Sequence, residues 1–135
     1  MNAKRLLPAI VWAAFIFVLC SIPGKDIPAA GWMDIISLDK WVHFGVFAVL
    51  MWLTLRAVRA HYRQEHFALD GRWIWLLLVV LYGGLTEGYQ HWMLEDRYAD
   101  LYDFVANTAG AIAAWWIYER YFSRRQRSET YQKTF

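Results

Sequence analysis

The chain has 135 residues, 59% of them hydrophobic and 19% aromatic, with a formal net charge of only +2. That length fits one domain, and the apolar excess with nine Trp and eight Tyr suits membrane–water interfaces, where such rings sit half in lipid. The single cysteine, Cys20, excludes an intramolecular disulfide and a Cys-rich metal site; it reads as a packed apolar residue.

Four apolar stretches follow in chain order, about 6–22, 41–58, 73–90 and 103–122. Each is long enough to cross a hydrocarbon layer about 30 Å thick. Pro8 falls in the first turn expected for the first stretch, where a missing N–H does no harm, and Pro23-Gly24 ends it. None alternates with period 2, so a transmembrane β-barrel is not supported. Lys4 and Arg5 raise the question of a signal peptide. The apolar run exceeds an ordinary h-region and Ile27-Pro28-Ala29-Ala30 is a poor cleavage site, so the segment reads as retained.

Basic residues give the orientation. The N-terminus holds Lys4 and Arg5; the middle connection holds Arg56, Arg59, Arg63 and Arg72; the tail holds Arg120, Arg124, Arg125, Arg127 and Lys133. The other connections hold only Lys25, Lys40 and Arg97. The positive-inside rule then predicts an all-α, four-transmembrane-helix bundle with both termini cytoplasmic. The domain spans residues 1–127, with 128–135 expected to be a disordered tail. The basic tail has no aromatic interleaving and follows an apolar helix, so it reads as a topology signal and anionic-lipid contact, with no nucleic acid expected. His61 and His66 fall in the cytoplasmic connection.

Ionisable residues collect at the helix ends that this topology turns outward: Asp39, Lys40 and His43; Glu87, Gln90 and His91; Arg97, Asp100, Asp103 and Asn107. Charge at a hydrocarbon boundary is costly unless paired or facing a wet cavity. Lys40 with His43, Glu87 with Gln90 and His91, and Asp103 with Asn107 sit at helical spacing. Gly84 with Gly88, and Ala106 with Gly110 and Ala114, are small-xxx-small patterns that bundle packing alone explains. Lys40 and Arg97 suit a phosphate or pyrophosphate. Glu87 or Asp103, and His43, are candidate acids or bases. The same residues would also serve to lock four helices together. No recognised metal spacing is present, so no metal or other cofactor is expected. Four short helices leave little room for a transporter.

Asp39-Lys40-x-x-His43, Glu87-x-x-Gln90, Arg97 and Asp103-x-x-x-Asn107-x-x-Gly110, with Ser21-Ile22-Pro23 closing the first helix, resemble the VanZ-like family over roughly residues 12–116. That family is named for a teicoplanin-resistance membrane protein. The resemblance implies a four-helix fold in a bacterial inner (plasma) membrane, with Lys40, His43, Glu87, Gln90, Arg97, Asp103 and Asn107 as signature positions. It departs at Asp100, where the family more often has a small hydroxyl residue, and at Glu95-Asp96, which replace a Pro-Gly-type turn. The implied role is an outward-facing polar site that influences envelope-lipid or glycopeptide-antibiotic interactions. The alternative is a membrane-embedded enzyme acting on a phosphorylated or lipid-linked envelope precursor. The partner expected in either case is membrane lipid, an anionic cell-wall precursor included; the oligomeric state stays open.

Overall fold

A computed structural model describes residues 3–22, 38–61, 69–94 and 100–134. Those residues form four α-helices and no strand: α1 (Ala3–Cys20), α2 (Leu38–His61), α3 (Leu69–Met93) and α4 (Leu101–Thr134). One of them, over Leu38–Arg59, is long and apolar enough to cross a membrane by length and composition.

All four helices begin before their apolar stretches, and α2, α3 and α4 also end beyond them, because hydropathy marks only part of a backbone ladder. The end of α1 differs, stopping at Cys20, just short of where its stretch ends. Starting at Ala3 puts Pro8 inside α1, beyond its first turn. At the other end of the chain, α4 continues through the tail expected to be disordered, reaching Thr134. No Gly or Pro follows Gly110 to break the ladder, and Arg, Gln, Glu and Lys propagate a helix well.

Each helix buries one stripe at spacings of three and four. On α2 the stripe is Phe47, Leu50, Met51, Thr54, Leu55 and Val58; on α3 it is Leu76, Val79, Gly83, Thr86, Glu87 and Gln90. On α4 it runs Asn107, Gly110, Ala111, Ala114 and Tyr118, and α1 contributes Ala9, Ile16 and Cys20. The helix α2 packs most extensively against α4, while α1 leans on α2 and α3 on α4. Thr54 and Thr86 return their hydroxyls to the Leu50 and Gly83 carbonyls of their own helices.

Polar ties fix α1 to its neighbours. The Trp12 indole N–H donates to the Val46 carbonyl at 2.9 Å, and the Tyr82 hydroxyl donates to the Ala13 carbonyl at 2.6 Å. Gln90 Nε2 donates to the Cys20 carbonyl at 3.1 Å, satisfying one of the acceptors that the end of a helix leaves over. This last bond puts the end of α1 beside the end of α3.

The outward faces are apolar. Leu7, Val11 and Val18 on α1, Leu77, Leu81 and Leu85 on α3, and Val105, Ile112 and Ile117 on α4 are all exposed.

Glycine makes a close crossing between α2 and α4. A Cβ on Gly110 would run into the backbone carbonyl of Phe44, which cannot move without moving α2. Gly83 meets the Phe47 ring at 3.2 Å and the Asn107 Cβ at 3.4 Å, so it too is a tight point. The pattern Gly84-xxx-Gly88 is not: Gly84 faces only the Phe104 ring at 3.5 Å, and Gly88 faces Trp92 of its own helix. Gly110→Ala should therefore destabilise the fold by about 3 kcal/mol or more, the upper range of overpacking costs. Gly84→Ala should be neutral or stabilising by up to about 1 kcal/mol through helix propensity. Unfolding of the purified chain followed by tryptophan fluorescence measures both.

Candidate functional site

The start of α2, the end of α3 and the start of α4 meet at one end of the bundle, and the polar residues of all three converge there. Lys40, two turns before the buried stripe of α2, reaches across to α4. Its Nζ lies 3.1 Å from Asp100 Oδ2, 3.0 Å from Asp103 Oδ1 and 3.6 Å from Asp39 Oδ2. The ammonium is thus shared by three carboxylates.

Asp100 does two jobs. As the residue before α4 it accepts the Tyr102 backbone N–H on Oδ1 at 2.8 Å, and its own carbonyl accepts from the Asp103 and Phe104 amides. That is the geometry of a helix N-cap. Its other oxygen takes Lys40. The Tyr102 amide first, and then Lys40, hold the Asp100 carboxyl below the usual aspartate range.

Deeper in, His43 stands one turn beyond Lys40 on the same face of α2. Its Nδ1 lies 3.1 Å from Asn107 Oδ1 and 3.8 Å from Glu87 Oε1. Its Nε2 lies 3.8 Å from both Asp39 Oδ1 and Asp103 Oδ2. Asn107 bridges onward, donating Nδ2–H to Glu87 Oε1 at 3.3 Å. Side-chain exposure falls from 58% at Asp39 through 14% at Asp103 and 11% at His43 to 7% at Glu87. The cluster is therefore a graded path from solvent to the interior.

Charge is unbalanced along that path. Among the described residues the cluster holds the carboxylates of Asp39, Glu87, Asp100 and Asp103 against the Lys40 ammonium and the His43 imidazole. With all four acids ionised and His43 protonated, the formal charge is −2. An apolar bundle end that concentrates negative charge attracts cations and donors.

Of the residues singled out in the sequence, Lys40, His43, Glu87, Asp100, Asp103 and Asn107 come together. Gln90 is drawn off to the Cys20 carbonyl, so its contact is with α1. His91 is exposed at the end of α3. Arg97 lies outside the described residues. Asp39, grouped with Lys40 and His43 in sequence but given no role as an acid, base or binding residue there, joins them; it stands four before His43 on one helix. Three members, Asp39, His43 and Asp103, hold ligand atoms mutually within 4.8 Å, a group of metal-ligating type that no short spacing motif announces.

Asn107→Ala should cost about 2–3 kcal/mol, because it strips a buried carboxylate and a buried imidazole of their shared partner at once. Unfolding of the variant against the parent chain measures it. A change under about 0.5 kcal/mol would mean that Glu87 and His43 find other partners.

A family model described as VanZ/LLP1 matches residues 5–122 of the chain. No curated protein and no solved structure matches it.

Proposed function

The chain belongs to the VanZ/LLP1 family, and from that premise we propose that it is a four-helix protein of a bacterial plasma membrane, acting through one polar pocket on the extracytoplasmic side. The pocket engages the headgroup of an envelope lipid or lipid-linked precursor at the outer leaflet. Occupying that component changes how glycopeptide antibiotics meet the cell surface. The protein is a binding and accessory protein in this reading.

One observation carries the proposal: Lys40, His43, Glu87, Asp103 and Asn107 gather at a single end of a bundle whose outward faces are apolar. A soluble monomer rarely leaves contiguous apolar surface uncovered. Here exposed leucine, isoleucine, valine and phenylalanine side chains line α1, α3 and α4 as well as flanking α2. Lipid is the medium that accepts such faces, while polar residues within a membrane face the bundle interior or a wet cavity.

Orientation is supported by charge. The pocket end carries the connections poor in basic residues, and the opposite end carries Arg56, Arg59 and Arg120. The basic end stays in the cytoplasm. The pocket then sits at headgroup depth on the outside, where the exposed Asp39 and the part-exposed Lys40 meet water and the ligand.

Two experiments test this reading. In a Cys20→Ser background, Met93→Cys at the pocket end should react with a membrane-impermeant maleimide in intact cells, and Arg63→Cys only after permeabilisation. The reverse pattern overturns the orientation. Native mass spectrometry of the chain extracted from bacterial membranes should show a lipid adduct. Asp103→Asn and Glu87→Gln variants that remain folded should lose that adduct by about tenfold, the usual effect of removing one charge-assisted contact worth about 1.4 kcal/mol. Retention of the adduct in both variants removes the pocket from the function.

A further inference from the structure

The hydrogen-bond network around His43 leaves its Nε2 facing two acceptors. Asn107 gives Nδ2–H to Glu87, so its Oδ1 is turned to His43 and accepts from Nδ1–H. The neutral ring therefore carries its proton on Nδ1, and its Nε2 lone pair points out of the network. What it faces is Asp39 Oδ1 and Asp103 Oδ2, both at 3.8 Å. That is beyond hydrogen-bond reach. Three electron-pair donors thus border one gap.

Lys40 does not fill the gap. It takes the opposite oxygens of the same two carboxylates, Asp39 Oδ2 at 3.6 Å and Asp103 Oδ1 at 3.0 Å. Each aspartate is split, one oxygen toward the ammonium and one toward the imidazole. The lysine orients both carboxylates and leaves the inner edges free.

We propose that Asp39 Oδ1, His43 Nε2 and Asp103 Oδ2 bind a divalent first-row metal ion, zinc or manganese in class, with open positions on the solvent side. One ligand atom from each of the three residues lies within 4.8 Å of the other two. Bound at about 2.0–2.2 Å each, such ligands stand about 3.3–3.5 Å apart in a tetrahedral arrangement. The two 3.8 Å distances to His43 Nε2 then have to shrink by a few tenths of an ångström and the Asp39–Asp103 pair by up to about 1.5 Å, a closing movement that falls to the exposed Asp39 side chain at the start of α2. One imidazole with two carboxylates suits zinc, manganese or iron better than an all-oxygen ion.

Asn107 supplies the outer support: a metal-binding histidine characteristically donates its other ring N–H to a fixed acceptor. This bond comes from α4 and is itself anchored on Glu87 of α3, so it lies outside the three ligands. Two ligands come from α2 and one from α4, so the ion would span the main helix pair of the fold. It also brings positive charge to a pocket with an excess of acid, giving a phosphate-bearing headgroup a partner there that Lys40, already shared by three carboxylates, does not provide. The occupant of the open positions rests on the membrane-lipid reading above; the ion itself does not.

The test uses the full chain, stripped with chelator and held in phosphatidylcholine nanodiscs, with Mn²⁺ as the probe. Titration followed by EPR should give one ion per chain, and pulsed EPR should show coupling to a histidine nitrogen that His43→Ala abolishes. Asp39→Asn, at an exposed position where folding is not at stake, should weaken binding at least about tenfold. Asn107→Ala should weaken it by about 10–100-fold, as loss of an outer-shell partner does. No saturable binding, or binding without nitrogen coupling that Asp39→Asn leaves unchanged, overturns the proposal. A chain that keeps its lipid adduct but binds no Mn²⁺ refutes the metal site alone. One that binds Mn²⁺ but never carries lipid refutes the lipid reading and leaves the metal site standing.

Discussion

A carboxylate enclosed between apolar helices has to be met by donors from somewhere else in the chain, and Glu87 sets that condition here. Water is largely excluded at its position, so an uncompensated charge would be expensive. The answer is Asn107 from α4, held in turn by His43 from α2. Three helices are thereby bound to one another by a chain of side-chain contacts, and none of them could turn about its axis without breaking it. Ionic networks of this kind contribute little net stability compared with apolar packing, and their better-attested use is to select one arrangement.

The outer half of the network obeys a different rule. Lys40 is held by Asp39, Asp100 and Asp103, and Asp100 is simultaneously the cap of α4. The cap fixes where α4 begins, the start of α4 fixes Asp103, and Asp103 stands between the lysine and the histidine. Local backbone chemistry thus sets the spacing of a long-range electrostatic cluster. A surplus of acid follows, which is why the inner oxygens of two aspartates are left facing an imidazole.

Much of this was legible in the residues. The apolar stretches locate all four described helices, and the spacings of three and four group Lys40 with His43 and Asp103 with Asn107 on common faces. The helix ends were less legible, since a backbone ladder runs on through Arg and Glu where hydropathy stops; α4 is the clearest case. Gln90 shows a second limit. Its spacing from Glu87 puts both on one face of α3, but which neighbour each meets depends on where α1 ends, and that is a matter of tertiary packing. Gly83 and Gly110 make the same point among the glycines. The small-residue pattern correctly marks Gly110, passes over Gly83 and singles out Gly84, because a repeat in sequence does not record the distance to the next helix.

Gly110 and Phe44 adjoin the polar cluster: Phe44 follows His43, and Gly110 is one turn from Asn107. The spacing between the two helix axes at that level is the spacing across which His43 reaches Asn107. A methyl group at 110 would act as a wedge, and the first bond to open would be the one that fixes the imidazole. A relative that kept every acid and base but not this glycine would look intact to motif matching and yet have lost the arrangement. In sorting homologues, the residue without a side chain is thus as informative as the ones that carry the charge.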